Sequence, residues 1–368
     1  MVSDLDGLRD EFPVLAAKAY LNAGTQGPVP RRSVEAAARE LEAELSTGRG
    51  TAAHFEAIFA LVERLRTAVA PLLGCEAGEV ALTRSTTDGI NVVLGALELG
   101  PGDEVLTSDE EHPGLLAPLA AARARRGFAL RAVPFVRLAE EVRGDTALVA
   151  CSHVSWVSGQ IVESAALAAA AHAAGARFLL DGAQGLGALA FDVQALGCDF
   201  YAAAGQKWLC GPDGSGYLYV REDLCADLIP SWPSFVSLAE TDRPSELALK
   251  PGAARFDLGV TARSQAAAAL AALETLAEAG WDGVLERGPA LAAELAAHLC
   301  ERGARVVPRG PSTLVAWESG DPADEVERLA DDGFVVRELP GGRLVRASVG
   351  AWSSEDELLR LTALVAPG

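Results

Sequence analysis

Positive charge is scarce in this sequence, and lysine is its rarest carrier. The 368 residues hold 31 lysines and arginines against 51 aspartates and glutamates, which gives a formal net charge of −20. Lys18, Lys207 and Lys250 are the only lysines, so arginine supplies nearly all of the positive charge. Because no basic strip interrupts this acidic excess, we expect no nucleic-acid partner and no anionic membrane partner.

Long apolar runs and paired cysteines are missing as well. The alanine-rich stretch 164–174 is too short to cross a bilayer, and the first ten residues lack the charged-then-apolar pattern of a secretory signal. The six cysteines form no Cys-x-x-Cys pair and no metal-ligand spacing with the five histidines. These absences predict a reduced, soluble, cytoplasmic protein without a metal site.

Half of the residues are hydrophobic, which at this length is enough for two domains. Between residues 79 and 220, short apolar runs alternate with segments of helical periodicity. Continuous apolar strands separated by helices predict an α/β fold with a mainly parallel sheet covered on both faces. After the proline-containing stretch 229–252, further helical and strand-like segments, including Val306–Val307 as a strand, predict a small α+β domain.

One acidic and one basic residue in the middle of the chain suggest a cofactor. Asp181 ends an apolar run, and Lys207 follows 26 residues later. A lysine amine forms a Schiff base with an aldehyde, which an arginine does not do under ordinary conditions. An acid for a pyridinium nitrogen and a lysine for an aldehyde are together typical of a pyridoxal phosphate (PLP) site. Taken singly, each residue is equally typical of a turn after a strand.

Three hydroxyl side chains precede a predicted helix and suggest where a phosphate binds. Ser85, Thr86 and Thr87 come just before a helix that we expect to begin near Asp88. A helix N-terminus presents free amides and a positive dipole end, to which the hydroxyls add donors. Ordinary N-capping by serine or threonine explains the same residues and is compatible with phosphate binding.

Eight segments carry a resemblance, in order along nearly the whole chain: residues 20–30, 83–91, 111–114, 152–160, 181–184, 205–212, 255–257 and 345–348. Together they resemble the class V aminotransferase family of fold type I PLP enzymes. Within that family the sequence is most similar to cysteine/cystine C-S lyases and cysteine desulfurase-like enzymes. The resemblance implies a large PLP-binding domain (16–245) with a mainly parallel seven-stranded sheet. It also implies a small α+β C-terminal domain (246–368), on which the N-terminal segment (1–15) packs.

The resemblance also implies a role for individual residues. The catalytic residues would be Lys207, Asp181 and His112. PLP would be bound by Ser85, Thr86, Thr87, His112, Asp181, Gln184, Gln206, Lys207 and Thr261. The substrate, a small amino acid, would be bound by Arg346, Arg337, Asn22 and Trp156. A histidine usually stands at the position of Gln206, a hydroxyl residue at Ala204, and a threonine that reaches the partner subunit's phosphate at Val260. Thr261 would replace that threonine in a homodimer.

The predicted reaction depends on a missing thiol. Cysteine desulfurases of this family carry a nucleophilic cysteine before the strand of the C-terminal arginine, but no cysteine follows Cys300 here. We therefore expect a PLP-dependent C-S lyase that carries out β-elimination on cysteine, cystine or a cysteine conjugate, releasing pyruvate, ammonia and a thiol or persulfide. The alternatives are an aminotransferase or epimerase of class V type, a cysteine desulfurase-like enzyme, and a catalytically silent PLP-binding paralogue.

Overall fold

A computed structural model describes residues 5–365, so the first four residues of the predicted N-terminal segment lie outside it. The strands are β1 Ala19–Tyr20, β2 Val80–Thr83, β3 Glu104–Ser108, β4 Ala129–Val133, β5 Thr146–Ser152, β6 Arg177–Asp181, β7 Phe200–Ala204, β8 Gly216–Val220, β9 Leu314–Glu318, β10 Phe334–Val335, β11 Arg337–Glu338 and β12 Leu344–Ser348. The α-helices are α1 Leu5–Leu8, α2 Arg31–Thr47, α3 Ala52–Leu73, α4 Thr86–Ala96, α5 Pro113–Arg126, α6 Ser164–Ala173, α7 Val193–Leu196, α8 Glu222–Cys225, α9 Arg263–Ala279, α10 Trp281–Glu301, α11 Pro322–Asp331 and α12 Glu355–Leu364.

A seven-stranded sheet forms the centre of the fold, with strand order β2-β8-β7-β6-β5-β3-β4. Only β8 runs antiparallel to its neighbours, and the pairs from β7 to β4 are parallel. The predicted α/β fold with a mainly parallel seven-stranded sheet is therefore confirmed. Because β2 and β7 both run opposite to β8, the carboxyl ends of β2, β3, β5, β6 and β7 meet at one edge of the sheet.

Helices cover both faces of this sheet, as the uninterrupted apolar strands predict. Successive residues of a strand point to opposite faces, so Phe178 and Leu180 pack with helices α3, α6 and α9, whereas Leu179 packs with α4 and α5. Both layers exclude water, since the strands β5 to β8 are buried almost throughout. This rigid core holds the strand ends that line the cavity described below.

A second, three-stranded antiparallel sheet, β11-β12-β9, packs against α10 and α12. The chain before β1 contacts this region, since the rings of Phe12 and Trp352 lie 5.3 Å apart and Arg9 forms a 2.7 Å ion pair with Glu357. Helix α9, in contrast, packs on α2, where Ser33 donates to the carbonyl of Ala268. The division into a large and a small domain at residue 245 remains a prediction.

Two local predictions differ from the structure. Strand β4 was not predicted, because it is an edge strand in which only Val133 is buried, and such a strand lacks the apolar run of a central one. Conversely, Val306–Val307 does not form a strand: Val306 makes one isolated bridge to Trp317. Pro308 follows directly and has no backbone N–H to donate, which limits further pairing with β9.

Candidate active site

A cavity of about 240 Å³ opens where the carboxyl ends of the central strands meet. Polar ligands in open α/β sheets typically bind at this edge. The lining residues come from the segments that follow β2, β3, β5, β6 and β7, together with a loop before α2 and with β11. They are Gly24, Thr25, Ser85, Thr86, Thr87, His112, Gly114, Trp156, Asp181, Ala183, Gln184, Ala204, Gln206, Lys207 and Arg337.

Asp181 and Lys207 both line this cavity, as predicted. Asp181 is the last residue of β6 and is 5% exposed, and its Oδ1 accepts a hydrogen bond from the Ala183 N–H (2.9 Å). Burial raises the pKa of Asp181, and the nearby Lys207 ammonium opposes that rise. Burial also lowers the pKa of Lys207 to about 8, with Arg346 and Arg337 adding to the effect and Asp181 opposing it. The cavity thus contains an amine that loses its proton at a lower pH than an ordinary lysine does.

Helix α4 presents its N-terminus to the cavity. Ser85 caps the helix, since its hydroxyl accepts from the Asp88 N–H (3.0 Å), and Thr87 donates to the carbonyl of Gly114 (3.0 Å). Thr86 Oγ1 is buried and has no hydrogen-bond partner among the described residues. A buried hydroxyl without a partner is costly, whereas a phosphate at a helix N-terminus would accept from it and from the free amides. This end of the cavity therefore fits the phosphate of PLP.

His112 lies beside Trp156, with the ring centroids 4.8 Å apart and the planes nearly perpendicular. It also caps helix α5, because its Nδ1 accepts from the Gly114 N–H (2.9 Å). A neutral ring that accepts at Nδ1 carries its proton on Nε2. Burial, together with the cations Lys207, Arg337 and Arg346, lowers the pKa of His112 to about 4, which keeps the ring neutral.

Gln184 joins three parts of the site. Its Nε2 donates to the carbonyl of Gly24 (2.8 Å), and its Oε1 accepts from the indole N–H of Trp208 (3.0 Å). Trp208 is the neighbour of Lys207. The Gln184 side chain therefore links the turn after β6 to the segment that contains Lys207 and to the loop before α2. One N–H of Gln184 remains for a ligand oxygen, which is compatible with the predicted contact to the cofactor.

Arg346 and Arg337 lie opposite each other on β12 and β11. Arg346 is fully buried, and its Nη1 donates to the carbonyl of Trp156 (2.6 Å), while its Nε and Nη2 have no partner among the described residues. No carboxylate of residues 5–365 forms an ion pair with it. Its Nη2 would lie 3.0 Å from a Cβ at Gly24, which lines the cavity. An anionic group entering there would satisfy this buried cation.

The four remaining predicted residues lie in three different places. Trp156 and Gln206 line the cavity, and Gln206 Oε1 is buried without a partner among the described residues. Asn22 does not line the cavity itself but contacts Thr25, which does: the Oδ1 of Asn22 accepts from Thr25 Oγ1 (2.8 Å). Thr261 is not brought to this site and instead lines a separate cavity of about 30 Å³.

Thr25 is a residue of the site that the sequence analysis did not single out. Its hydroxyl accepts from Arg337 Nη1 (3.2 Å) and donates to Asn22, so it connects the loop before α2 with β11. The guanidinium of Arg337 also lies over the Trp156 ring, 5.8 Å from its centroid. The signal was the motif at residues 20–30, which contains Thr25 together with Asn22 and Gly24.

Comparisons with known proteins now decide the family. The model of the family described as aminotransferase class-V matches residues 19–361 of this chain. The chain belongs to the class-V aminotransferase family. It is also 31% identical over 310 residues to a cysteine desulfurase of Enterobacter sp., a match that spans 77% of this chain and 74% of that protein. A relative from Methanothermobacter thermautotrophicus is 31% identical over 61% of this chain, and the match spans only 58% of that relative.

Among solved structures, the chain is similar to the cystine C-S lyase C-DES in complex with its reaction product cysteine persulfide. The two share 28% identity with a TM-score of 0.90, over 96% of this chain and 98% of that one. Together with the family match, this confirms the predicted family, the fold type I architecture, an enzyme and PLP as the cofactor. Within residues 5–365, no helix is long and apolar enough to serve as a membrane span.

Proposed function

We propose that this class-V family enzyme is a PLP-dependent C-S lyase acting on cysteine, cystine or a cysteine conjugate by β-elimination. With cystine, the Cβ–S bond breaks and one water is consumed, so that the products are pyruvate, ammonia and cysteine persulfide. When bound, PLP supplies an aldehyde for the amine and a ring that takes up the electrons of the Cα–H bond. The similarity to cysteine desulfurases and to C-DES supports chemistry at the C-S bond.

The proposed roles follow from the surroundings of each residue. Lys207, whose pKa is lowered to about 8, is the base that removes the proton from the substrate Cα. Asp181 is the anion that keeps the ring nitrogen protonated, and Thr86 with the N-terminus of α4 binds the phosphate. Arg346 binds the substrate carboxylate through two hydrogen bonds, donated by Nε and Nη2, which have no partner among the described residues.

Two observations carry this proposal: the buried Lys207 lines a cavity that no thiol of the described residues lines, and the unpartnered Nη2 of Arg346 lies beside Gly24 in the wall of that cavity. The turn between β11 and β12, residues 339–343, contains no cysteine. Cys210 is the cysteine nearest to Lys207 in sequence. It is fully buried, and burial raises its pKa far above the ordinary value, so the inert thiol predominates. Among the described residues, no persulfide-forming thiol therefore lines the cavity, which favours the lyase over a desulfurase.

We also propose that the enzyme is a cytoplasmic homodimer. Thr261 lies away from the cavity of its own chain, next to Val260, which is 41% exposed. A contact from Thr261 to a bound phosphate would therefore have to be made in a second copy of the chain. Size measurement in solution tests the dimer, and Thr261→Val in a dimer should lower the affinity for PLP if the hydroxyl reaches the partner's site.

Product identity tests the reaction. PLP-loaded protein is incubated with cystine or cysteine without any keto acid, and pyruvate, ammonia, alanine and the D-amino acid are measured. Pyruvate and ammonia in equal amounts support the lyase. Alanine with sulfur retained on the protein would indicate a desulfurase, a requirement for a keto acid an aminotransferase, and a D-amino acid an epimerase. Lys207→Ala serves as the control, and no turnover of any amino acid by the wild type would favour the silent paralogue.

A further inference from the structure

The orientation of Arg346 depends on a short turn after β5. Within residues 5–365 the guanidinium makes a single hydrogen bond, from Nη1 to the carbonyl of Trp156 (2.6 Å). We call residues 155–158 the serine turn, since Ser155 and Ser158 flank Trp156 and Val157. A small displacement of this turn moves the only acceptor that this buried arginine has among the described residues, and so redirects its unpartnered Nε and Nη2.

A single carboxylate oxygen holds both ends of the serine turn. Glu110 Oε2 accepts from the hydroxyl of Ser158 (2.6 Å) and from the hydroxyl of Ser155. The oxygen of Ser155 in turn accepts from the N–H groups of Val157 (3.2 Å) and Ser158 (3.1 Å). Both serines are almost fully buried, so the hydroxyls would lack an acceptor if the carboxylate were removed.

The acidic neighbours of Glu110 face other parts of the structure. Asp109 Oδ1 accepts from the N–H of Phe135 (3.1 Å), and Glu111 accepts from the N–H and hydroxyl of Ser152. Neither carboxylate bonds to the serine turn among the described residues. Asp109 is exposed and adjacent in sequence, which makes it a matched control for the loss of a carboxylate in this loop.

The turn also bridges the two sheets. Gly159, the next residue, accepts at its carbonyl from the hydroxyl of Ser312 (2.7 Å), which lies just before β9 of the three-stranded sheet. Arg346 on β12 of that sheet reaches Trp156 from the same side. Glu110 belongs to the loop after β3 of the seven-stranded sheet. A chain of hydrogen bonds therefore runs from this carboxylate, through the turn, to the guanidinium.

We propose that Glu110 is a positioning residue for substrate recognition: by clamping Ser155 and Ser158, it holds the Trp156 carbonyl where Arg346 faces the carboxylate of the amino-acid substrate. This inference deepens the proposed function and rests on it. Glu110 does not itself contact the substrate. Its loss should weaken binding only of ligands that carry a carboxylate, because the amine is held elsewhere in the site.

The test compares two small amines on PLP-loaded protein. L-alanine carries the carboxylate and ethylamine lacks it, and the affinity for each is read from the absorbance change of the bound cofactor. Glu110→Ala should weaken L-alanine binding roughly tenfold and leave ethylamine unchanged, since displaced binding groups cost about this much or more. Glu110→Gln keeps an oxygen acceptor for both hydroxyls and should stay close to the wild type. Asp109→Asn should change neither affinity.

Ser158→Ala is a second variant, which removes one donor and should weaken L-alanine binding less, in the same direction. If Glu110→Ala does not fold, Ser158→Ala tests the inference instead, and it would contradict the inference by leaving L-alanine binding unchanged. The inference is overturned if Glu110→Ala leaves the preference for L-alanine intact, or if it weakens both amines equally. The proposed function fails separately, if the wild type prefers L-alanine to ethylamine yet releases no pyruvate from cystine or cysteine.

Discussion

Replacing Arg346 with methionine should stabilise the folded protein while it impairs catalysis. The guanidinium is fully buried, makes one hydrogen bond, and pairs with no carboxylate among residues 5–365. Burial and the neighbouring Arg337 cation both lower the pKa of Arg346, which means that the charged form is unfavourable in the folded state. Methionine retains most of the unbranched stem and brings no charge.

Arg346→Met should lower kcat/KM and raise the free energy of unfolding. Loss of a buried carboxylate clamp costs about 2–5 kcal/mol, which corresponds to a roughly 30- to 5,000-fold fall in kcat/KM. Replacing buried charge with apolar volume typically stabilises by about 1–4 kcal/mol, and leaving the carbonyl of Trp156 without a donor offsets about 1–3 kcal/mol of that. At the midpoints of these two ranges, the free energy of unfolding should rise by about 0.5 kcal/mol.

Urea unfolding of the cofactor-free protein measures the stability, and pyruvate release from cystine measures kcat/KM. Arg337→Met is the matched control, because Arg337 is half-buried, bonds to Thr25 and lies over the Trp156 ring. It should leave the stability nearly unchanged. A clear loss of stability in Arg346→Met would refute the reasoning, since it would show that the guanidinium is compensated in the free protein.

Three further outcomes are expected. Asp257→Ala should lower the free energy of unfolding by about 3–5 kcal/mol in the urea assay, because it removes the carboxylate of a buried ion pair with Arg66 (2.8 Å). Glu63→Ala removes an exposed partner of the same arginine and should cost under about 0.5 kcal/mol in the same assay. When PLP is added to cofactor-free protein and the adduct is fixed with borohydride, the rate at which Lys207 is labelled should rise with pH, with a midpoint at about 8, because the amine then loses its proton. A midpoint near pH 10 would contradict the lowered pKa of Lys207. Thr86→Val should raise the dissociation constant of PLP roughly tenfold in an absorbance titration without lowering stability, because the hydroxyl has no partner to lose within residues 5–365. Unchanged affinity would show that Thr86 does not bind the phosphate.

The positions of the polar residues at the strand ends were predictable because local sequence determines them. Asp181 ends an apolar run, and a residue in that place must lie at the carboxyl edge of a parallel sheet. The hydroxyls at the start of α4 were predictable for the same reason, since a helix start places them at free amides. The helix itself begins at Thr86, two residues before the predicted start near Asp88, so only Ser85 precedes it. The edge strand β4 was not, because its residues alternate too weakly between buried and exposed to mark a strand.

Contacts between distant side chains have no such local signal, and Glu110 illustrates this. In sequence it stands in a run of three acids, where each carboxylate is equally typical of a solvated loop. In the structure the three have different partners: Asp109 bonds to Phe135 after β4, Glu110 to the serine turn after β5, and Glu111 to Ser152 at the end of β5. Which of them governs Arg346 depends on two serines more than 40 residues further on. A residue that acts through a turn is therefore found from the hydrogen bonds of that turn and not from its own sequence neighbours.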